Sequence, residues 1–295
     1  MKRAKRIPYG VSDFIDIIER NQYYVDKTMY IPKLEDEPDA LFFIRPRRLG
    51  KSLFISMLRA YYDIKRKDKF DKLFGNLWIG SHPTENQGKY QVLFLDFSKI
   101  GGSIDQLEEN FNAYCNECID SFIETYQEYY PERVVESVLT AKTAARKLNA
   151  IGIAAEKKNL PLYLIVDEYD NFTNVVLNEQ GEEVYTALTH ASGFYREIFK
   201  VFKGMFSKIF MTGVSPVTLD DLTSGFNIGW HISTKPAFNQ MLGFSTEDVR
   251  ELFTYYKENG EIRPDSDVEA IIEEMKPWYD NYCFSESALK TQSKV

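Results

Sequence analysis

Gly50, Lys51 and Ser52 follow an apolar run at 40–45 and open a helical pattern. Polyphosphate binding calls for residues of these types in this order. Glycine lets the backbone approach an anion, and the N–H groups of the loop and of the helix start surround its oxygens. The Lys51 ammonium would reach the β- and γ-phosphates, and the Ser52 hydroxyl would bind Mg²⁺. The usual spacing is G-x-x-x-x-G-K-[ST]; here Arg45 stands at the first glycine position, so by pattern alone the match is incomplete. The residues expected to wrap a nucleotide are Arg45, Pro46, Arg47, Arg48, Leu49, Gly50, Lys51, Ser52 and Leu53.

Asp167 and Glu168 end another apolar run, 163–166. Next to a phosphate loop, the first acid holds Mg²⁺ and the second is placed to orient and deprotonate an attacking water. The adjacent pair suits hydrolysis better than transfer to a bound acceptor. Thr212, at the end of the run 208–212, is a third polar strand end, expected to hydrogen-bond that water or the γ-phosphate. Asp96 ends the run 92–97 and is read either as a neighbour of the site or as a cap. The expected catalytic set is Glu168, Lys51 and Thr212, with Ser52 and Asp167 as metal ligands.

These residues need a sheet to bring them together. The four apolar runs, 40–45, 92–97, 163–166 and 208–212, read as buried strands. Helical patterns lie between them at 52–62, 104–129, 134–158 (broken near Gly152) and 187–206. Strands alternating with helices predict a mostly parallel sheet sandwiched by helices, which is an α/β class with its ligands beyond the carboxyl ends of the strands. After about residue 236 the pattern turns helical. Ser245 to Asp248 looks like a helix start, and Val268, Ile271, Ile272 and Met275 repeat at helical spacing. The division expected is a P-loop domain over 1–235 and a small helical lid over 236–295.

Composition bounds the rest. Apolar content of 44% with 27% charge is that of a globular protein, and the net charge of −8 argues against general nucleic-acid binding while leaving a local basic groove open. No apolar stretch nears the ~20 residues of a membrane helix. Three cysteines suggest a reducing, cytoplasmic setting. Cys115 and Cys118 form a C-x-x-C, but they step at helical spacing with Phe111 and Phe122, and no second pair exists to complete a zinc site.

Taken with Ile7 to Phe14, Tyr23 to Thr28, Leu95 to Ser98, Asp167 to Asp170, Thr212 to Pro216 and Trp278 to Tyr282, the phosphate loop resembles that of the bacterial AAA-ATPase-like proteins related to the STAND and origin-recognition branches of P-loop ATPases. That family carries Arg-Pro-Arg-Arg in its loop, which accounts for Arg45; Leu49, where Phe is more usual, is a mild departure. The resemblance implies Mg²⁺-dependent ATP binding and hydrolysis acting as a conformational switch. It places Tyr9 and Phe14 beside the adenine. It implies as partners ATP, an attached C-terminal domain similar to PD-(D/E)xK nucleases or a partner protein, and a homo-oligomer, with Arg196 as a weak arginine-finger candidate. Relatives continue past the point where this chain stops, so 236–295 is expected to be a lid, or the start of a winged-helix-like domain, on a truncated piece. The alternatives are a nucleotide-binding scaffold with negligible turnover and a P-loop kinase. Asp265 and Glu274-Met275-Lys276 spell the nuclease motif, but on a helical pattern, and are read as coincidence.

Overall fold

Every residue of β3 (Leu162–Asp167) is buried, as expected of a central parallel strand covered on both faces. The computed structural model describes residues 4–101, 106–171, 194–215, 229–279 and 283–285. Among these, β1 (Ala40–Ile44), β2 (Gln91–Asp96), β3, β4 (Lys208–Gly213) and β5 (Trp230–His231) form one sheet in the order β2-β3-β4-β1-β5. Every pairing in it is parallel. The α/β reading is confirmed, with strand limits moved by one residue at most ends. The two-residue β5 carries too little pattern to be read from sequence.

Alternation along the strands sorts the core into two layers. Phe42, Leu93, Leu95, Leu164, Val166, Ile209 and Met211 face one cluster, with α6 (Leu107–Thr125), α7 (Glu132–Thr140), α8 (Ala144–Lys157) and α9 (Phe194–Met205). Leu41, Phe43, Tyr163, Ile165 and Phe210 face the other, with α1 (Phe14–Glu19), α2 (Tyr30–Glu35), α3 (Lys51–Tyr62), α4 (Phe70–Phe74) and α5 (Trp78–Ser81). Phe238, Met241 and Leu242 belong to that second layer, so core packing runs on past residue 235. Cys115 is buried within the first layer, in keeping with a packing role.

The break expected near Gly152 is a correction. The segment is interrupted earlier, where Thr143 caps α8 by accepting from Arg146 N. Gly152 lies inside α8, and a Cβ there would sit 3.0 Å from Met205 Cγ, so the glycine serves the close approach of α9. Residues 187–193 of the expected helix 187–206 lie outside the described residues, and nothing is described of the Arg196 side chain.

Beyond the sheet, α10 (Thr246–Glu258) starts at a Ser245–Asp248 capping box and pairs with α11 (Val268–Met275). No residue of α10 is buried. It is tied to the core by polar and aromatic contacts instead. Lys27 Nζ pairs with Asp248 Oδ2 at 2.6 Å, Lys5 N donates to Tyr255 Oη at 2.9 Å, and the Tyr23 ring lies 5.2 Å from that of Tyr255. Among the described residues no helix is long and apolar enough to cross a membrane.

Candidate nucleotide and metal site

Parallel strands present all their carboxyl ends on one edge, and β4 lies between the strand that leads into the Gly50-Lys51-Ser52 loop and the strand that ends in acid. Thr212 pairs in register with Phe43, one residue before the end of β1, and Met211 pairs with Val166, one residue before Asp167. The loop turns through two left-handed residues, Arg48 at φ 68° and Gly50 at φ 92°. Gly50 suits that conformation because it has no Cβ. The loop then starts α3, whose free N-terminal N–H groups and dipole favour an anion.

Three groups meet on Asp167, which is only 3% exposed. Ser52 Oγ donates to its Oδ2 at 2.7 Å, Thr212 Oγ1 donates to its Oδ1 at 2.6 Å, and Glu168 N donates to the same Oδ1 at 3.0 Å. The loop hydroxyl and the strand-end acid, 115 residues apart in sequence, are therefore in direct contact. Thr212, expected to hydrogen-bond the water or the γ-phosphate, here spends its hydroxyl proton on Asp167. Asp96 caps the short turn after β2 by accepting from Ser98 N at 3.1 Å, and it pairs in register with Asp167.

Lys51 is buried, and its Nζ donates to Arg45 O at 3.0 Å and Pro46 O at 3.1 Å. Burial lowers its pKa, and the carboxylates of Asp167, Glu168 and Asp170 pull the other way. Glu168 adopts φ 50°, a left-handed conformation uncommon for a residue with a side chain. Burial raises its pKa first and the Asp167 charge second, against the attraction of Lys51 and Arg47. One acid thus accepts three hydrogen bonds, and the other is half-buried, turned off the strand and more basic than usual.

Several residues expected beside the nucleotide make other contacts. The Arg45 guanidinium does not line the loop; it is 1% exposed, stacked 4.2 Å from the Phe43 ring and 4.2 Å from the Phe284 ring. Only its carbonyl faces Lys51. Phe14 is fully buried against Phe74 and Tyr24, which leaves no face for a base. Tyr9 is 98% exposed, so its ring is not taken up by packing. Leu49 and Leu53 pack on the second core layer and offer only backbone to the loop. Arg47 and Arg48 are exposed at the loop crest. Asp265 lies in an exposed turn and Glu274 on helix α11, which bears out the reading of the nuclease motif as coincidence.

Sequence reasoning gave no role to the groups that hold the strand ends together. Asp170 is buried and accepts from Val214 N at 3.1 Å and Ser215 N at 2.6 Å; Tyr169 Oη donates to Ser215 O at 2.7 Å. Gly213 leaves room for both, since a Cβ there would lie 2.5 Å from Tyr169 Cε1 and 2.6 Å from Asp170 Oδ1. The signal was present as an acid three residues after Asp167 and a glycine after Thr212. Ser233, whose Oγ accepts from Ile44 N at 2.8 Å, carried no such signal.

The donors suit Mg²⁺. A buried carboxylate and a hydroxyl are hard oxygen ligands, and Mg²⁺ is commonly held by one or two carboxylates together with substrate phosphates and water. Ser52 and Asp167 would hold it.

Known proteins extend this picture. A protein of Azotobacter chroococcum mcd 1, described as an uncharacterized protein in the vnfD 5' region, is 25% identical over 267 residues, which is 84% of this chain. The chain spans only 45% of that protein's length. The solved structure of the Aeropyrum pernix ORC2 protein (ADPNP-ADP complexes) aligns with 90% of this chain and 57% of its own, at 13% identity and a TM-score of 0.36, a likeness too low to transfer structure or function. The sequence model of the AAA-ATPase-like family, described as predicted AAA-ATPase, matches residues 8–223, a span that holds the phosphate loop, Asp167, Glu168 and Thr212, and the chain belongs to that family.

Proposed function

We propose that the chain binds ATP with Mg²⁺ and hydrolyses it, and that the nucleotide state is passed to the helical segment beyond residue 236 and to whatever domain or partner attaches there. The observation that carries this reading is the contact of Ser52 Oγ with Asp167 Oδ2 at 2.7 Å, which joins the phosphate loop to the acidic strand end. Family membership supports it.

Bound Mg²⁺ would supply charge neutralisation on the β- and γ-phosphates. Lys51 releases the Arg45 and Pro46 carbonyls and donates to phosphate oxygens. The N–H groups at the start of α3 and the exposed guanidinium groups of Arg47 and Arg48 add positive charge at the same place. Glu168 accepts the proton of the attacking water; its raised pKa makes it a stronger base than an ordinary carboxylate. Asp167, held by Thr212 and by the Glu168 amide, keeps its remaining lone pairs for the metal side. Tyr9, free on the surface, is the residue retained beside the adenine.

Single-turnover hydrolysis with protein in excess tests the reading. Glu168→Gln should bind ATP as the parent does and hydrolyse it about 100- to 10,000-fold more slowly, the usual span of a general-base contribution. Parental turnover in that variant would remove Glu168 from the mechanism.

A further inference from the structure

Arg45 is built into the molecule in two directions at once. Its carbonyl accepts from Lys51 Nζ at 3.0 Å, and the same ammonium holds the next carbonyl, Pro46 O, at 3.1 Å. Its guanidinium points the other way. Nη1 donates to Ser233 O at 2.7 Å and to Ile44 O at 2.8 Å, and Nη2 donates to Phe238 O at 3.1 Å. The rings of Phe43 and Phe284 close on the group, each 4.2 Å from its central carbon. Phe284 is in turn fastened to the same segment, its N donating to Asn239 Oδ1 at 2.9 Å. The other end of the phosphate loop reaches that segment as well, where Gly243 N donates to Leu49 O at 3.0 Å.

We propose that Arg45 is a positioning residue that couples the phosphate loop to segment 233–243, which leads directly into α10. The inference rests on the nucleotide-binding reading above. Lys51 uses two of its donors on the Arg45 and Pro46 carbonyls, so a phosphate that competes for those donors acts on the peptide that carries Arg45. A long side chain normally absorbs such a backbone shift by changing rotamer. This one cannot, because it is buried, stacked on both faces and fixed by carbonyls from two separate segments. Displacement of the loop is therefore passed to residues 233–238. Arg45 Nε is buried without a hydrogen-bond partner. An unmet buried donor is costly, so the guanidinium is not fully satisfied where it stands. Burial also lowers the guanidinium's pKa, to about 10, with the group remaining charged at neutral pH. A lysine would keep the charge but could not form the planar fork or stack between two rings.

Hydrogen exchange of the full chain with and without Mg-ATP tests this, read as the nucleotide-dependent difference at two places, 45–52 and 233–243. The parent should show a difference at both. Phe284→Leu, which lies outside the loop, should keep the difference at 45–52 and lose more than half of it at 233–243. Arg45→Met should remove the difference at 233–238, leaving near 243 what the bond from Gly243 N to Leu49 O carries, and Arg45→Lys should restore only part of it. A merely structural role would change exchange equally with and without nucleotide. A parental-size difference at 233–243 in Phe284→Leu and Arg45→Met overturns the proposal; if Arg45→Met does not fold, Phe284→Leu decides alone. No difference at 45–52 in the parent would instead bring down the nucleotide-binding reading, and the coupling with it.

Discussion

At the residue scale, the two neighbouring acids differ by environment rather than by type. Asp167 receives three hydrogen bonds and is nearly inaccessible, while Glu168 is half-buried in a left-handed backbone. On the proposed reading, Asp167→Asn should raise the Mg²⁺ concentration needed for hydrolysis, because a neutral amide would replace a charged ligand; a Mg²⁺ titration of turnover, set beside that of Glu168→Gln, checks the contrast. Glu168 also makes a stability statement. Its folded pKa is raised above the ordinary carboxylate value of 4.5, chiefly by burial. The folded state thus holds the proton more tightly than the unfolded chain, and stability falls as pH rises from about 4.5 through the raised folded pKa. Glu168→Gln removes that loss. Without ligand the variant should melt above the parent at neutral pH and together with it well below pH 4.5; equal melting temperatures across the whole range would contradict the burial argument.

At the element scale, the site depends on how tightly the ends of β3 and β4 are knitted. Tyr169 N donates to Thr212 O at 3.1 Å just past the paired strands, and Asp170 collects the amides that follow Gly213. A methyl group at 213 would meet Tyr169 and Asp170 well inside contact distance. Gly213→Ala should cost about 1–3 kcal/mol, the usual range for overpacking. It should slow hydrolysis as well, since the residues displaced directly follow Glu168. Denaturant unfolding and phosphate release on the same preparation measure both, and an unchanged unfolding midpoint would show that the turn yields without cost.

At the scale of the whole molecule, the two-layer core holds the sheet, whereas α10 and α11 are attached by a polar joint. Lys27 and Asp248 are 12% and 15% exposed, and Asp248 is also the residue that completes the capping box of α10. Lys27→Met removes the charged donor from that carboxylate, while Ser245 N and Ser245 Oγ still donate to it. The expected cost is on the order of 1–3 kcal/mol, that of a mostly buried group losing one partner. It should appear as faster hydrogen exchange across 246–258 with little change in the sheet. Uniform loosening of the whole chain would mean that α10 is part of the same cooperative unit as the core.

What the sequence determined on its own was local. Periodicity marked β1 to β4, and the glycine-lysine-serine turn and a strand ending in Asp167-Glu168 marked the two places proposed to meet a nucleotide, because each signal lies within a few residues of chain. The strand order β2-β3-β4-β1-β5 was not local, and it is what sets Thr212 between loop and acid and turns its hydroxyl onto Asp167. The same limit applies to Phe14 and Arg45. An aromatic at 14 and an arginine at 45 have the chemistry to touch a nucleotide, but Phe74 and Tyr24 enclose the one, and Phe43, Phe284, Ser233 and Phe238 enclose the other. Residue type decides which bonds a side chain can make. Which of them it does make depends on the partners that packing brings to it, and for Arg45 the decisive ones lie almost two hundred positions away, 188 and 193 along the chain.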